Sequence, residues 1–250
     1  MMNNQAAKKE EKKKTAAVIL SGCGFMDGSD VVESVSVIVE LTRKGIVPRF
    51  FSPHEEIDES YNYITKQIDS SEERYMHKES ARIAREKILS IDQLRADQFD
   101  MLVIPGGNGV VRNLSNFEQE EYNVNEVEVN SHVEKAIVDF FKQKKPIGFM
   151  SNSVILGAKA LGKVSGKTGN GIAVALGKTL DRVFVETLMT KFGNELSQES
   201  GDAEVVCTDS SHRIASVASV SAAGTVQPNE IHAAAKNLIE ELIDLTKREE

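Results

Sequence analysis

Thr15-Ala-Ala-Val-Ile-Leu-Ser-Gly-Cys-Gly24 decides the fold. The apolar run from Ala16 to Leu20 shows no alternation and stops at Gly22, the pattern of a strand buried on both faces. A strand of that kind needs helices above and below it, so a crossover helix should follow. Asp30 with Glu33 three residues on has the spacing of a capping box. The helix it opens should bury Val31, Val35 and Ile38 and end at Gly45. Ile46-Val-Pro-Arg-Phe-Phe51 reads as the second strand, with Pro48 better suited to an edge than to a sheet centre.

The same alternation continues along the chain. Residues 52–72 are polar and carry no clear element. Glu72 to Leu89 reads as a charged helix with Met76, Ile83 and Lys87 on one side. Phe99-Asp-Met-Leu-Val-Ile104 is a strand closed by Pro105-Gly-Gly107. Residues 113–130 form an acidic loop holding Glu118, Glu120, Glu121, Glu126 and Glu128, too polar for a core element. Ser131 and Glu134 suggest a second capping box ahead of the stripe Val133, Ile137, Phe140 and Phe141, with Lys142, Lys144 and Lys145 where the macrodipole favours cations. Pro146-Ile-Gly-Phe-Met150 is a strand, followed by Ser151 and a helix from about Ser153 to Leu161. Leu180, Phe184, Leu188 and Phe192 mark a further helix. Glu204–Cys207 and Arg213–Val217 read as late strands, and Pro228 opens a last helix bearing Ile231, Leu238, Leu242 and Leu245. Strand and helix alternating with short turns predict one α/β domain, a flavodoxin-like sandwich with a mostly parallel sheet and helices on both faces.

Charge and composition exclude several functions. The 250 residues are 40% hydrophobic with net charge −8. Residues 1–14 hold five Lys against Glu10 and Glu11, a Lys-rich leader expected to be disordered, and the rest of the chain carries −11. An acidic body repels phosphate backbones, so nucleic acid is not an expected partner. The apolar runs are far shorter than the ~20 residues of a membrane helix. Neither a secretory core nor an arginine-rich transit pattern follows the leader. Two cysteines, Cys23 and Cys207, make no disulfide framework, and a cytoplasmic location is expected.

In open α/β sheets ligands bind beyond the carboxyl ends of the strands. That rule selects three turns, Ser21-Gly22-Cys23-Gly24, Pro105-Gly106-Gly107-Asn108-Gly109 and Ser151-Asn152-Ser153, which should converge with Glu33 close by. The first turn is one residue too long for a dinucleotide fingerprint, and Gly162-Lys-Val-Ser-Gly-Lys-Thr168 lacks the spacing of a P-loop. The glycines of the second turn would let backbone N–H groups approach a ligand, or simply make a tight turn. Ser151 occupies a strand-to-helix elbow, where a nucleophile is presented, but the surrounding residues are not G-x-S-x-G. A serine also needs a positioned base, and none of His54, His77, His132, His212 and His232 is placed by the sequence in the crevice.

Five segments in order carry a family resemblance: Val18-Ile-Leu-Ser-Gly-Cys-Gly24, Asp27-Gly-Ser29, Val103-Ile-Pro-Gly-Gly107, Asn113-Leu-Ser-Asn-Phe117 and Lys145-Pro-Ile-Gly-Phe-Met150. The chain resembles the ElbB-type proteins, a glyoxalase-like, isoprenoid-biosynthesis-associated branch of the ThiJ/PfpI superfamily with the class I glutamine amidotransferase-like fold. The resemblance spans about residues 15–245 and assigns residues 15–250 to one such domain. It implies a homodimer without metal or organic cofactor. It also implies a nucleophilic cysteine directly after Gly-Phe-Met, where this chain has Ser151. Glu33 takes the position of the glutamate that serves the cysteine. Gly106 and Gly107, with Asn152, would supply the oxyanion pocket, and Gly22, Gly24 and Asn108 would line the ligand. Asn152-Ser153-Val154 departs from the family's Ile-Ala-Pro.

A thiolate is nucleophilic and accessible at a helix N-terminus, whereas an alcohol is neither. Three readings follow. The site binds a small carbonyl compound or metabolite with weakened or absent catalysis. Alternatively, a glyoxalase- or amidase-like enzyme uses Ser151 or Cys23, although Cys23 also reads as a small packing residue. The third is a structural dimer that docks another protein through the acidic loop.

Overall fold

The computed structural model describes residues 13–69, 71–85, 88–117, 126–164, 166–175, 190–197, 204–218 and 227–248. The leader through residue 12, Lys87, Glu118, Glu120, Glu121 and the helix expected around Leu180, Phe184 and Leu188 lie outside the described residues.

A seven-stranded sheet forms the centre. In chain order its strands are β1 (Thr15–Ile19), β2 (Val47–Ser52), β5 (Leu89–Ser90), β6 (Met101–Ile104), β7 (Ile147–Met150), β10 (Val206–Asp209) and β11 (Ile214–Val217). Their spatial order is β10-β11-β7-β6-β1-β2-β5, parallel throughout except for β10, which pairs antiparallel with β11. Two small pairs lie outside it, β3 (Tyr61–Asn62) with β4 (Gln67–Ile68) and β8 (Ala173–Val174) with β9 (Glu195–Leu196). The helices among the described residues are α1 (Val31–Arg43), α2 (Met76–Ala84), α3 (Asn108–Leu114), α4 (Ser131–Lys142), α5 (Val154–Leu161) and α6 (Pro228–Lys247).

The strands divide their side chains between two cores, which is why their sequences do not alternate. Ala16, Val18, Met101 and Val103 face Val37, Leu41, Leu238 and Leu242 of α1 and α6. Ala17, Ile19, Leu102 and Ile104 face Val133, Ile137, Ile155 and Leu156 of α4 and α5. Both faces are therefore covered, the sandwich that the strand pattern requires. Pro48 pairs with Ala16 of β1, while β5 reaches only Phe51 and Ser52 of β2. The missing N–H of Pro48 thus falls where the sheet has an open edge.

Several local expectations are corrected. α1 is rotated from the expected register: Val31 and Val35 are 41% and 44% exposed, and the buried face is Glu33, Ser34, Val37, Glu40 and Leu41. Two glutamates can face inward because each is bonded, Glu33 to Gly106 N–H and Glu40 to Arg43 at 2.9 Å and His232 at 3.0 Å. The N-cap of α4 is Asn130, whose Oδ1 accepts from His132 and Val133, so Ser131 is the first helical residue. α2 ends at Arg85 in the left-handed region (φ 55°), and Leu89 belongs to β5 instead of a continuing helix. The acidic loop has a packed stem, since Phe117, Val127 and Val129 are buried and Ser115 bridges to Val129. No helix among the described residues is long and apolar enough to cross a membrane.

Candidate active site

The three turns selected from the sequence meet at the carboxyl ends of β1, β6 and β7. Asn108 in the second turn accepts from Asn152 in the third (Nδ2 to Oδ1, 2.7 Å) and places its own Nδ2 3.4 Å from Met26 Sδ beyond the first. Gly109 N–H donates to Phe25 O at 3.0 Å. Asn113, which opens one of the resemblance segments but is not among the candidate site residues, donates to the carbonyls of Ser21 (2.8 Å) and Asp27 (3.2 Å) and so ties α3 to the first turn.

Ser151 is the strained point of this assembly. Its φ of 50° lies in the left-handed region, between the extended Met150 and the turn that opens α5. A non-glycine residue held there stores on the order of 1–3 kcal/mol and persists only when its surroundings over-determine it. Ser153 supplies part of that constraint: its Oγ accepts from Met150 N–H at 3.1 Å and donates to Ile104 O at 2.7 Å, joining the elbow to β6. Ser151 is 2% exposed, and its Oγ has no hydrogen-bond partner among the described residues; Asn152 Oδ1 is likewise buried and unpartnered. The elbow therefore presents a hydroxyl that the fold does not use.

Glu33 is fully buried beside it. Asp30 caps α1 by accepting from Glu33 N–H at 2.8 Å, but the reciprocal half of the capping box is absent. Asp30 N–H goes instead to Gly106 O (2.8 Å), and Gly106 N–H donates to Glu33 Oε2 (2.7 Å). The first turn of α1 thus grips Gly106 from both sides. A Cβ added at Gly106 would stand 2.6 Å from Glu33 Oε2 and 2.7 Å from Ser151 Cβ, so carboxylate and serine flank one α-carbon. This corrects one expectation: the Gly106 N–H holds Glu33 and is not free to stabilise an oxyanion. Gly107 (φ 118°) passes so close to Gly28 O and Asp30 N that a side chain there would overlap them.

The remaining candidates have structural partners. Gly22 (φ 101°) donates to Ser80 Oγ at 2.8 Å, and Gly24 donates to Ser29 O at 3.0 Å. Cys23 is half-buried against the α1–α6 core, and its thiol is pushed above its ordinary value, first by burial and then by Glu79 and Asp27, with Arg82 and Arg74 opposing. No histidine hydrogen-bonds Ser151. His54 and His77 stack on each other, His212 pairs with Asp209, His232 pairs with Glu40, and His132 sits in the first turn of α4. No group of three or more His, Cys, Asp or Glu among the described residues is placed to hold a metal ion.

The polar stretch 52–72 supplies a feature that the sequence hid. The β3–β4 hairpin folds back onto the first turn, where buried Asp27 accepts from Tyr61 N–H (2.9 Å) and pairs with Arg74 (3.0 Å). Tyr63 OH accepts from Met26 N–H at 2.8 Å. Burial, the largest influence, keeps Tyr63 a neutral phenol above its ordinary value, against the Met26 and Phe25 amides that favour ionisation.

With this geometry in view, the known proteins are informative. A solved isoprenoid biosynthesis protein with an amidotransferase-like domain from Ehrlichia chaffeensis is 29% identical, with TM-score 0.78 over 92% of this chain and 99% of that one. The chain shares the α/β fold of that amidotransferase-like domain. A ThiJ/PfpI domain protein from Brachyspira murdochii shares the fold at 12% identity, with TM-score 0.53 over 94% of this chain and 99% of that one. The human glutamine amidotransferase-like class 1 domain-containing protein 3, mitochondrial, is 34% identical over 153 residues, 61% of this chain and 56% of that protein. The chain spans little more than half the length of the curated relatives it matches. No family model matches it.

Proposed function

We propose that this is an ElbB-like protein whose glyoxalase-like site binds a small carbonyl compound or metabolite at Ser151, with catalysis weakened or lost where the cysteine is replaced. The observation that carries the reading is the Ser151 hydroxyl: strained, buried, beside Glu33, and without any hydrogen-bonded base. An alcohol ionises far less readily than a thiol, so a helix N-terminus that suffices for cysteine leaves serine protonated. The unpartnered Asn152 Oδ1 adds a polar contact for a ligand. A working enzyme based on Cys23 is disfavoured by the upward shift of its thiol. The homodimer implied by the resemblance and a cytoplasmic location remain part of the proposal, although the human relative is named as mitochondrial.

Calorimetric titration with methylglyoxal and glyoxylate tests the binding claim, using wild type and Asn152→Leu, a change that roughly keeps volume and removes the polar atoms. The reading expects saturable binding weakened at least about tenfold by the substitution, a loss of ~1.4 kcal/mol. Equal binding by both proteins, or none by wild type, contradicts it.

A further inference from the structure

We propose that a groove at the opposite end of the sheet is a second site, for a small ligand bearing a phosphate or diphosphate group. It has a volume of about 600 Å³, within the range of small-molecule sites, and lies at the amino ends of β7 and β11. Ser151 follows the carboxyl end of β7, so the length of that strand, roughly 13 Å at 3.3 Å per residue, separates the two sites.

The groove is cationic in an acidic protein. Among the described residues Lys142, Lys144, His212, Arg213 and Arg248 line it and no Asp or Glu does, although the chain carries −8 overall. Its cations come from three separate segments: the end of α4, the β10–β11 turn and the residue after α6. The macrodipole of α4 accounts for Lys142 and Lys144 but not for Arg213 or Arg248. Like charges gathered from distant segments repel one another unless an anion sits among them.

Arg213 is the best-defined group. It occupies the left-handed region (φ 57°), and its guanidinium donates to two backbone carbonyls, Lys144 O at 3.1 Å and Arg248 O at 2.7 Å. Those bonds hold the planar fork in place without neutralising its charge. The N–H groups left over suit a bidentate phosphate contact. Lys142 makes no ion pair among the described residues. Arg248 is partly compensated by Glu241 at 3.2 Å and also bonds Ser210. His212 is braced by Asp209 at 2.8 Å and stacked on Phe141 with centroids 5.5 Å apart. The space exceeds what one phosphate fills, leaving room for an organic moiety beside the anion.

Calorimetric titration of the full chain with inorganic pyrophosphate, at constant ionic strength set by sodium chloride, tests the site; glycerol 3-phosphate in a parallel arm separates a diphosphate from a phosphate monoester. Saturable 1:1 binding of either probe is expected, weakened at least about tenfold by Arg213→Gln and by Lys142→Glu. Lys142 is exposed, so the second variant remains informative if the first fails to fold. Ser151→Ala is expected to bind with wild-type affinity. The absence of saturable binding at millimolar concentrations of both probes, or equal affinity in wild type and Lys142→Glu, overturns the proposal.

Discussion

Glu33 accepts the N–H of Gly106 at 2.7 Å while Gly106 O accepts from Asp30 N–H, so the start of α1 and the turn after β6 are locked as one unit against Ser151. The carboxylate that the family resemblance would assign to catalysis is thereby also a brace.

Gly106→Ala should be severely disruptive. Its methyl group would lie 2.6 Å from Met150 O as well as from Glu33 Oε2, and the backbone carbonyl cannot rotate away as a flexible side chain would. Overpacking of this kind costs about 1–3 kcal/mol or more. Urea denaturation should show a loss at the upper end of that range, whereas a loss below ~0.5 kcal/mol would show that the turn can move.

Arg74→Ala should release the β3–β4 hairpin from the first turn, because it strands Asp27, whose side chain is almost fully buried. Breaking a buried pair costs about 3–5 kcal/mol, and the partial exposure of Arg74 reduces this to roughly 1–3. For a chain of this size each kcal/mol shifts Tm by about 2–4 °C. Limited proteolysis should find new cleavage between residues 61 and 68; an unchanged Tm and digestion pattern would count against this role.

Cys23 should resist alkylation at neutral pH. Its thiol is held above the ordinary 9.0 mainly by burial, so the thiolate is scarce at pH 7.5 and grows only in alkaline solution. Iodoacetamide labelling followed by peptide mapping should give a rate at Cys23 below that of a free thiol, still rising past pH 9. A plateau below pH 8 would restore Cys23 as a candidate nucleophile.

Asp209 should contribute to the acid limb of stability. Burial raises its pKa, but hydrogen bonds from Ser211, Ala173 N–H and His212 outweigh that and bring it below the ordinary carboxylate value. A depressed folded pKa stabilises above the unfolded value and loses that contribution as pH falls through the folded one. Wild-type stability should therefore decline below about pH 4, and Asp209→Asn should flatten that decline while being less stable at pH 7. Parallel denaturation profiles would refute the assignment.

The strands were readable because burial on both faces leaves unbroken apolar runs at β1, β6 and β7, and the elbow was readable because Ser151 follows such a run directly. The rotation of α1 was not, because the periodicity of Val31, Val35 and Ile38 suggests an apolar face while Glu33 and Glu40 are buried by hydrogen bonds no pattern reveals. The hairpin was hidden for a similar reason: a polar stretch is held by Asp27 and Arg74, 47 residues apart in the chain. The sequence placed Gly106 at the site, but only the structure shows that its N–H is already engaged.

The most direct measurement is lactate formation from methylglyoxal by wild type, Ser151→Cys and Glu33→Gln under identical conditions. Wild type should be silent or barely active and Ser151→Cys should gain orders of magnitude, since the site would be intact apart from its sulfur. Efficient turnover by wild type that Glu33→Gln abolishes would contradict the weakened-site reading and show that the serine itself is active.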